Sequence, residues 1–267
     1  MIDRITEQPF CQTRVMCRAV DNLELLLSQP DESVDLIYCD ILYGTGKNFG
    51  DYKDLKPIRS EIESHYLPRL IEMKRVLKST GSIFLQMDNK INHWVRLIMD
   101  DIFGYDNFRN EIIWCYRQGG RSESNYSQKH DTIYWYSKSN SQWIFNGDSV
   151  RIPYEGTGGY QTSGKGVVIN GKVYKPNELG KIPEDWWDIP AIPPMSKERI
   201  GYATQKPKAL IERIIKASSN EGDLVADFYA GSFTTAEVCR ELNRNFIGCD
   251  INPNAYEIGK KRVGKIF

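Results

Sequence analysis

Short apolar runs alternate with stretches of helical periodicity along most of the chain, the pattern of a mostly parallel α/β sheet flanked by helices. Val34-Asp35-Leu36-Ile37-Tyr38-Cys39 has the apolar density of a strand buried on both faces, and it ends at Asp40. A loop rich in Gly, Lys and Asp follows over 44–54, and Ile62, Leu67, Leu70, Ile71 and Leu77 recur near helical spacing across about 61–77. Gly81 then opens a strand over 82–87, and a helix is expected over about 91–102. Residues 112–116 and 132–136, rich in aromatic and β-branched side chains, read as two further strands. Downstream, Pro207 starts a helix to about Ser218, 224–228 is a buried strand, and a helix over about 234–242 leads to a strand over 245–249 that ends at Asp250.

Between 137 and 194 the character changes: Gly, Pro, Asn and Ser accumulate and helical periodicity disappears, as in an irregular insertion or a small β module. Long irregular segments of this kind are usually functional. With 267 residues, 40% of them hydrophobic, the chain forms one large domain or a domain with an insertion, and needs no disulfide or structural metal to hold its core. The 35 basic residues balance the 35 acidic ones, which argues against a protein that coats nucleic acid or membrane with its whole surface. The balance is uneven locally: residues 117–181 hold nine basic and five acidic residues, a local +4 on a body of −4. The six cysteines form no CxxC pair and most lie in apolar runs, as in a reduced cytoplasmic protein. The three histidines lack HExxH spacing, so no catalytic zinc is expected. No signal peptide or membrane span is legible, which makes a cytoplasmic location the expectation.

Two strand ends carry candidate chemistry. Asp227-Phe228-Tyr229-Ala230-Gly231-Ser232-Phe233-Thr234-Thr235 joins a strand to a helix, and Asp250 closes the next strand. A small glycine-containing turn lets a ligand approach backbone N–H groups, and an acid at the next strand end can accept from ribose hydroxyls. GxGxxG needs three glycines and only Gly231 is present, so phosphate is not the expected ligand. Alone, the unit reads equally well as an ordinary turn with Asp227 capping a helix. The second constellation is Asp40-Ile41-Leu42-Tyr43-Gly44-Thr45-Gly46. A carboxylate, backbone carbonyls and an aromatic ring at a strand end can accept both hydrogens of an amino group while stacking on its ring. A capping Asp and a core Tyr are the plain alternative, but two such sites in one sheet favour a ligand outside the carboxyl ends of the strands.

The pair resembles the motifs of the amino-group DNA methyltransferases that use S-adenosylmethionine: a (D/N/S)PP(Y/F) catalytic motif and a DxFxGSGTT cofactor motif. The phrases CRAVDNLELLLSQPDESVDLIYCD, GTGKNFGDY and ATQKPKALIERIIKASSNEGDLVADFYAGSFTT are similar to that family as well. The order, with the catalytic motif before the variable region and the cofactor motif after it, resembles the β group, whose sheet is circularly permuted. The resemblance implies an α/β, circularly permuted Rossmann-like methyltransferase fold. Its sheet would be mostly parallel and seven-stranded, with helices on both faces and an irregular target-recognition insertion. Residues 1–117 would form the catalytic half, 118–192 the insertion with a last sheet strand near 131–137, and 193–267 the cofactor-binding half. The chain departs from the family pattern in three places. Ile41 and Leu42 replace two prolines, Tyr229 replaces a Phe, and Phe233 replaces a Gly, where its ring is expected to crowd the methionine end of the cofactor.

By resemblance the activity is site-specific transfer of a methyl group from S-adenosylmethionine to the exocyclic N6 of an adenine flipped out of duplex DNA. The alternatives are cytosine N4 as target, or a homologue that binds DNA and cofactor with impaired turnover. Asp40, Ile41, Leu42 and Tyr43 would be catalytic. Asp40 and the Ile41 carbonyl would accept the amino hydrogens while Tyr43 stacks on the base. Asp227, Phe228, Tyr229, Ala230, Gly231, Ser232 and Thr234 would line the methionine end and Asp250 the ribose, with Gln205, Lys206 and Asp21 flanking; Asp21 is explained equally well as a helix cap. No metal is implied. Double-stranded DNA is the partner, gripped by Arg121, Lys129, Arg151, Lys165 and Lys172 interleaved with aromatic side chains. A homodimer and a separate restriction endonuclease are further partners that the family allows, and Trp186-Trp187 reads as a core plug.

Overall fold

The structure, a computed structural model, describes residues 13–48, 54–117, 120–154 and 167–264. Its centre is an eight-stranded sheet in the order β1-β10-β9-β2-β3-β5-β4-β8. These strands are β1 (Val15–Ala19), β2 (Val34–Asp40), β3 (Leu77–Met87), β4 (Phe108–Cys115), β5 (His130–Ser137), β8 (Trp186–Asp188), β9 (Leu224–Asp227) and β10 (Asn245–Asp250). From β1 to β3 all neighbours run parallel; β5 is antiparallel to both β3 and β4.

Strand residues alternate between faces, and the core divides accordingly. Ile37, Cys39, Ile83 and Leu85 pack on one face against buried residues of α1 (Asn22–Leu27), α2 (Arg59–Val76) and α3 (Asn92–Phe103). Leu36, Tyr38, Phe84 and Ile133 pack on the other against α4 (Lys208–Ser218), α5 (Thr234–Glu241) and α6 (Pro253–Val263). Helices therefore cover both faces, which is why β2 reads as a continuous apolar run.

β2 and β9 lie side by side and parallel, yet the chain leaves β2 towards β3 on one side and β9 towards β10 on the other. The two crossovers diverge at that point and leave a crevice at the carboxyl ends of the strands. Asp40 ends β2, Asp227 ends β9 and Asp250 ends β10, so three acids of the two sequence motifs converge there.

The structure adds details beyond the sequence pattern. β1, a strand of five residues and too short to stand out, pairs with β10 at the sheet edge. β3 begins at Leu77, directly after α2, rather than at Gly81. An eighth strand, β8, pairs with β4; in it Trp187 is 8% exposed and packs in the core while Trp186 is 58% exposed, so the plug is one tryptophan, not two. The insertion also contains a two-stranded hairpin, β6 (Val167–Ile169) and β7 (Lys172–Tyr174), turning through Asn170 and Gly171, both with positive φ as a two-residue hairpin turn requires. Cys17, Cys39, Cys239 and Cys249 are free and buried and Cys115 is half-buried; Cys11 lies outside the described residues. Among the described residues no helix is long and apolar enough to cross a membrane.

Candidate active site

A cavity of about 500 Å³ opens at the crevice. All four residues of the Asp40–Tyr43 motif line it, together with Asp21, Lys206, Asp227, Phe228, Tyr229, Ala230, Gly231, Ser232, Thr234 and Asp250. Gln205 does not. Its side chain donates to the Glu198 carbonyl at 2.7 Å and accepts from the Ile200 N–H at 3.0 Å, which folds the loop ahead of α4 and turns the amide away from the cavity.

On the β9–β10 side, Asp227 accepts from the Tyr229 N–H at 3.1 Å and the Thr235 hydroxyl at 2.6 Å, shaping the strand-to-helix turn from within. Burial pushes its carboxyl up to about 7. Gly231 has φ +48°, and its N–H donates to Asp250 at 2.9 Å; a Cβ there would lie 3.2 Å from the Tyr202 ring. The other Asp250 oxygen accepts from Asn252 N–H at 2.8 Å, and burial raises this carboxyl too. Each carboxylate oxygen keeps a further lone pair for a ligand. Asp21 caps α1 through the Leu23 N–H at 2.8 Å, pairs with Arg69 at 2.9 Å, and also forms part of the cavity wall.

Phe233 corrects the sequence expectation. It stands at φ +55° as the N-cap of α5, is 0% exposed and does not line the cavity. The left-handed backbone directs the ring into the core beside Phe246 and Gly259, where a Cβ on Gly259 would come within 2.6 Å of the ring. The phenylalanine therefore fills a gap that Gly259 leaves open and does not crowd the ligand space. At Tyr229 the hydroxyl lies 3.0 Å from His65 Nε2, and burial with the Arg69 charge pulls that imidazole down to about 4, so it is neutral at pH 7.

On the β2 side, both Asp40 oxygens have partners: Tyr43 Oη lies 2.8 Å from Oδ1, and the Lys206 ammonium bonds Oδ2. Burial raises the Asp40 carboxyl while Lys206 pulls it down, and burial prevails. Lys206, expected from its motif beside the cofactor, lines the cavity and is paired with Asp40, and its ammonium also sits 5.1 Å from the Tyr43 ring centroid. Without its prolines the motif is held by hydrogen bonds instead: the Ile41 N–H donates to Gln86 O at 3.0 Å and the Leu42 carbonyl accepts from Tyr66 Oη at 2.9 Å. Gly44, at φ +64°, passes so close to Ile91 that a Cβ would lie 2.5 Å from it.

Several site residues escaped the sequence reading, among them His65, Tyr202, Asp54, Gln86 and Asp131. Asp54 accepts from the N–H groups of Gly44 and Thr45 at 3.2 and 2.7 Å and pins the loop after the motif. Gln86 and Asp131 are fully or nearly buried, and Asp131 Oδ2 lies 2.5 Å from Tyr43 Oη. For Gln86 a polar residue inside an otherwise apolar strand was the available signal; Asp131 stands between His130 and Thr132 at the polar start of β5 and gave none.

The basic candidates among the described residues are dispersed, and none of these lines the cavity. Arg121 and Lys172 are exposed, and Lys129 donates to the Gly120 carbonyl at 2.8 Å. Arg151 is taken up in the fold, pairing with Asp148 at 2.7 Å and donating to Gly180 O at 2.8 Å. Lys165 lies outside the described residues. Among the described residues no group of three His, Cys, Asp or Glu side chains is placed to hold a metal ion.

Comparison with known proteins gives this geometry a relationship. A family profile described as DNA methylase matches residues 34–261. The chain is 36% identical over 259 residues to the type II methyltransferase M.HpaI of Haemophilus parainfluenzae, covering 95% of this chain and 75% of the relative. It is 32% identical to the DNA adenine methyltransferase YhdJ of Escherichia coli (strain K12), covering 91% and 80%. Among solved structures, the cytosine-N4-specific PvuII DNA methyltransferase superposes with TM-score 0.68 at 19% identity, over 95% of this chain and 88% of that one. The M1.HpyAVI–SAM complex superposes with TM-score 0.62 at 19% identity, over 94% and 100%. The fold is therefore that of these methyltransferases, and with the motifs, the sheet order and the relatives in agreement, the chain belongs to the N6/N4 DNA methylase family.

Proposed function

We propose that this DNA methylase moves a methyl group from S-adenosylmethionine to the exocyclic N6 of an adenine flipped out of duplex DNA at a specific sequence. The observation that carries the reading is the shared cavity, in which the Asp40–Tyr43 motif faces the glycine turn and Asp250. The residues suit that cofactor. The volume is that of a small-molecule site, Asp250 offers acceptors to a ribose, and the neutral His65 brings no cation near a positively charged ligand. When bound, S-adenosylmethionine supplies a methyl carbon on a cationic sulfur. Asp40 accepts a hydrogen bond from the amino group and aims its lone pair, and Tyr43 stacks on the base, a contact worth about 1–3 kcal/mol. Positioning of the two reactants supplies most of the rate.

Adenine is favoured over cytosine by the aspartate at position 40 and by likeness to a relative named as a DNA adenine methyltransferase. Residues 118–192 serve as the target-recognition insertion between the catalytic half, 1–117, and the cofactor half, 193–267, with Arg121, Lys129, Lys165 and Lys172 towards phosphate. A separate restriction endonuclease belongs to the same proposal, in keeping with relatives named as type II methyltransferases, and so do a homodimer and a cytoplasmic setting.

The test is incubation with tritiated S-adenosylmethionine and mixed-sequence duplex DNA, followed by digestion to nucleosides. Label in N6-methyldeoxyadenosine is expected; label in N4-methyldeoxycytidine moves the target to cytosine. Cofactor binding by calorimetry with no label in any DNA overturns the activity. Asp40→Ala lowers transfer by about 10²–10⁴-fold with cofactor affinity preserved.

A further inference from the structure

Gln86 and Asp131 are 0% and 4% exposed, yet neither belongs to a sequence motif that accounts for it. They lie within a continuous hydrogen-bonded chain. Tyr38 Oη donates to Gln86 Oε1 at 2.8 Å, and Gln86 Nε2 donates to Asp131 Oδ2 at 2.8 Å. That same oxygen lies 2.5 Å from Tyr43 Oη, which is 2.8 Å from Asp40 Oδ1, and Lys206 closes the chain on Asp40 Oδ2.

Hydrogens can be counted along it. The Tyr43 phenol has a single hydrogen, but a carboxyl oxygen stands at bonding distance on each side. Two ionised carboxylates cannot both accept that hydrogen, and the unserved contact would press lone pairs together. The chain therefore holds one proton besides the phenol's own, shared between the two carboxyls as in other close acid pairs. With the proton on Asp40, the Lys206 ammonium faces a neutral acid. With it on Asp131, the acid donates to Tyr43, Tyr43 donates to Asp40, and Lys206 keeps a charge-assisted bond to an ionised carboxylate.

We infer that Asp131 is a positioning residue of the transfer reaction: it takes up the proton shared through Tyr43, keeping Asp40 ionised and the Tyr43 ring fixed towards the target amino group. The inference rests on the proposed function. In that reaction the amino nitrogen's lone pair forms the N–C bond, the C–S pair leaves with sulfur, and the nitrogen passes one proton to Asp40, which a protonated Asp40 could not accept. Burial pushes Asp40 up and the Lys206 ammonium opposes it; burial first, and then the neighbouring acids, hold the Tyr43 phenol well above its ordinary range. The other titratable groups on Asp131 are Tyr38 from β2 and Tyr116 after β4, the latter pushed up to about 12 by burial with Asp131 and Asp88.

The experiment compares the full-length wild type with Asp131→Ala and Asp131→Asn; in the latter Nδ2 donates to Tyr43 as the protonated acid does, with the Gln86 amide turned over so that its Oε1 accepts from Nδ2 and its Nε2 donates to Tyr38 Oη. In Asp131→Ala, kcat falls by about ten- to a hundredfold while the KM for S-adenosylmethionine stays within about twofold. Asp131→Asn recovers at least about half of that loss on a logarithmic scale, and its kcat/KM profile lacks the alkaline fall seen when the wild-type chain gives up the shared proton. An Asn variant no better than the Ala variant, or one with the wild-type alkaline limb, overturns the inference. A second readout needs no turnover: the Tyr43 phenol, followed as the absorbance difference between each protein and its Tyr43→Phe counterpart, ionises at lower pH in Asp131→Ala than in the wild type. A wild type that labels no DNA fails the proposed function, and the phenol titration then decides the Asp131 contact alone, an unmoved phenol refuting it.

Discussion

Replacing Phe233 by glycine restores the residue that the resembled cofactor motif carries, and sequence reasoning alone predicts tighter cofactor binding. The structure predicts no gain in binding and a loss of stability. The ring is wholly buried between α5, α6 and β10, facing Gly259 and Phe246 and outside the cavity. Deleting a buried phenylalanine side chain costs about 3–5 kcal/mol, while glycine at φ +55° returns about 1–2 kcal/mol of left-handed strain. The net loss is about 1–4 kcal/mol, which in a chain of this size lowers the melting temperature by roughly 2–15 °C. A partner substitution sharpens the argument. Gly259→Ala alone sets a methyl 2.6 Å from the Phe233 ring and destabilises by about 1–3 kcal/mol through overpacking. In the Phe233→Gly background that methyl enters vacated space, so the double variant is more stable than the sum of the two singles by about 1–3 kcal/mol. Urea unfolding of the four proteins measures the coupling, and calorimetry with S-adenosylmethionine measures affinity. Tighter binding in Phe233→Gly with undiminished stability, or strictly additive unfolding energies, would refute the packing argument.

Further outcomes follow from the charges of the site. Lys206→Met removes the cation that holds Asp40 down, so the acid limb of the kcat/KM profile moves to higher pH; a limb that stays in place separates Lys206 from Asp40 function. Asp227 ionises near pH 4 when unfolded but at about 7 when folded, so its contribution to stability is fullest below about pH 4, declines as pH rises to about 7 and is level above. Asp227→Asn should therefore flatten the urea midpoint between about pH 4 and 7, and an unaltered slope contradicts the assigned environment. Arg121→Ala and Lys172→Ala each reduce the slope of log affinity for DNA against log salt by about one if they meet phosphate. Arg151→Ala instead lowers the unfolding midpoint and leaves that slope in place, because its guanidinium is bonded to Asp148 and Gly180.

The sequence by itself determined the central strands, most of the helices that flank them and the two strand-end motifs. Burial on both faces makes β2 a continuous apolar run, and one-sided burial gives α4 its repeating apolar positions, so these signals lie within a few residues of one another. The same locality makes Asp40, Asp227 and Asp250 recognisable as strand-end acids. Which residues meet those acids was decided only by tertiary structure. Lys206 reaches Asp40 across 166 positions and Asp131 reaches Tyr43 across 88, contacts that exist because β2, β3, β5 and β9 are neighbours in one sheet. The sequence placed Phe233 beside the ligand because its neighbours Ser232 and Thr234 line the cavity, but one residue in left-handed backbone turned its side chain the other way. Gln205 likewise stands next to Lys206 and serves a loop instead. Local periodicity records how deeply a residue is buried; the direction a side chain takes and the partner it finds depend on the backbone turn it occupies and on segments packed from elsewhere in the chain.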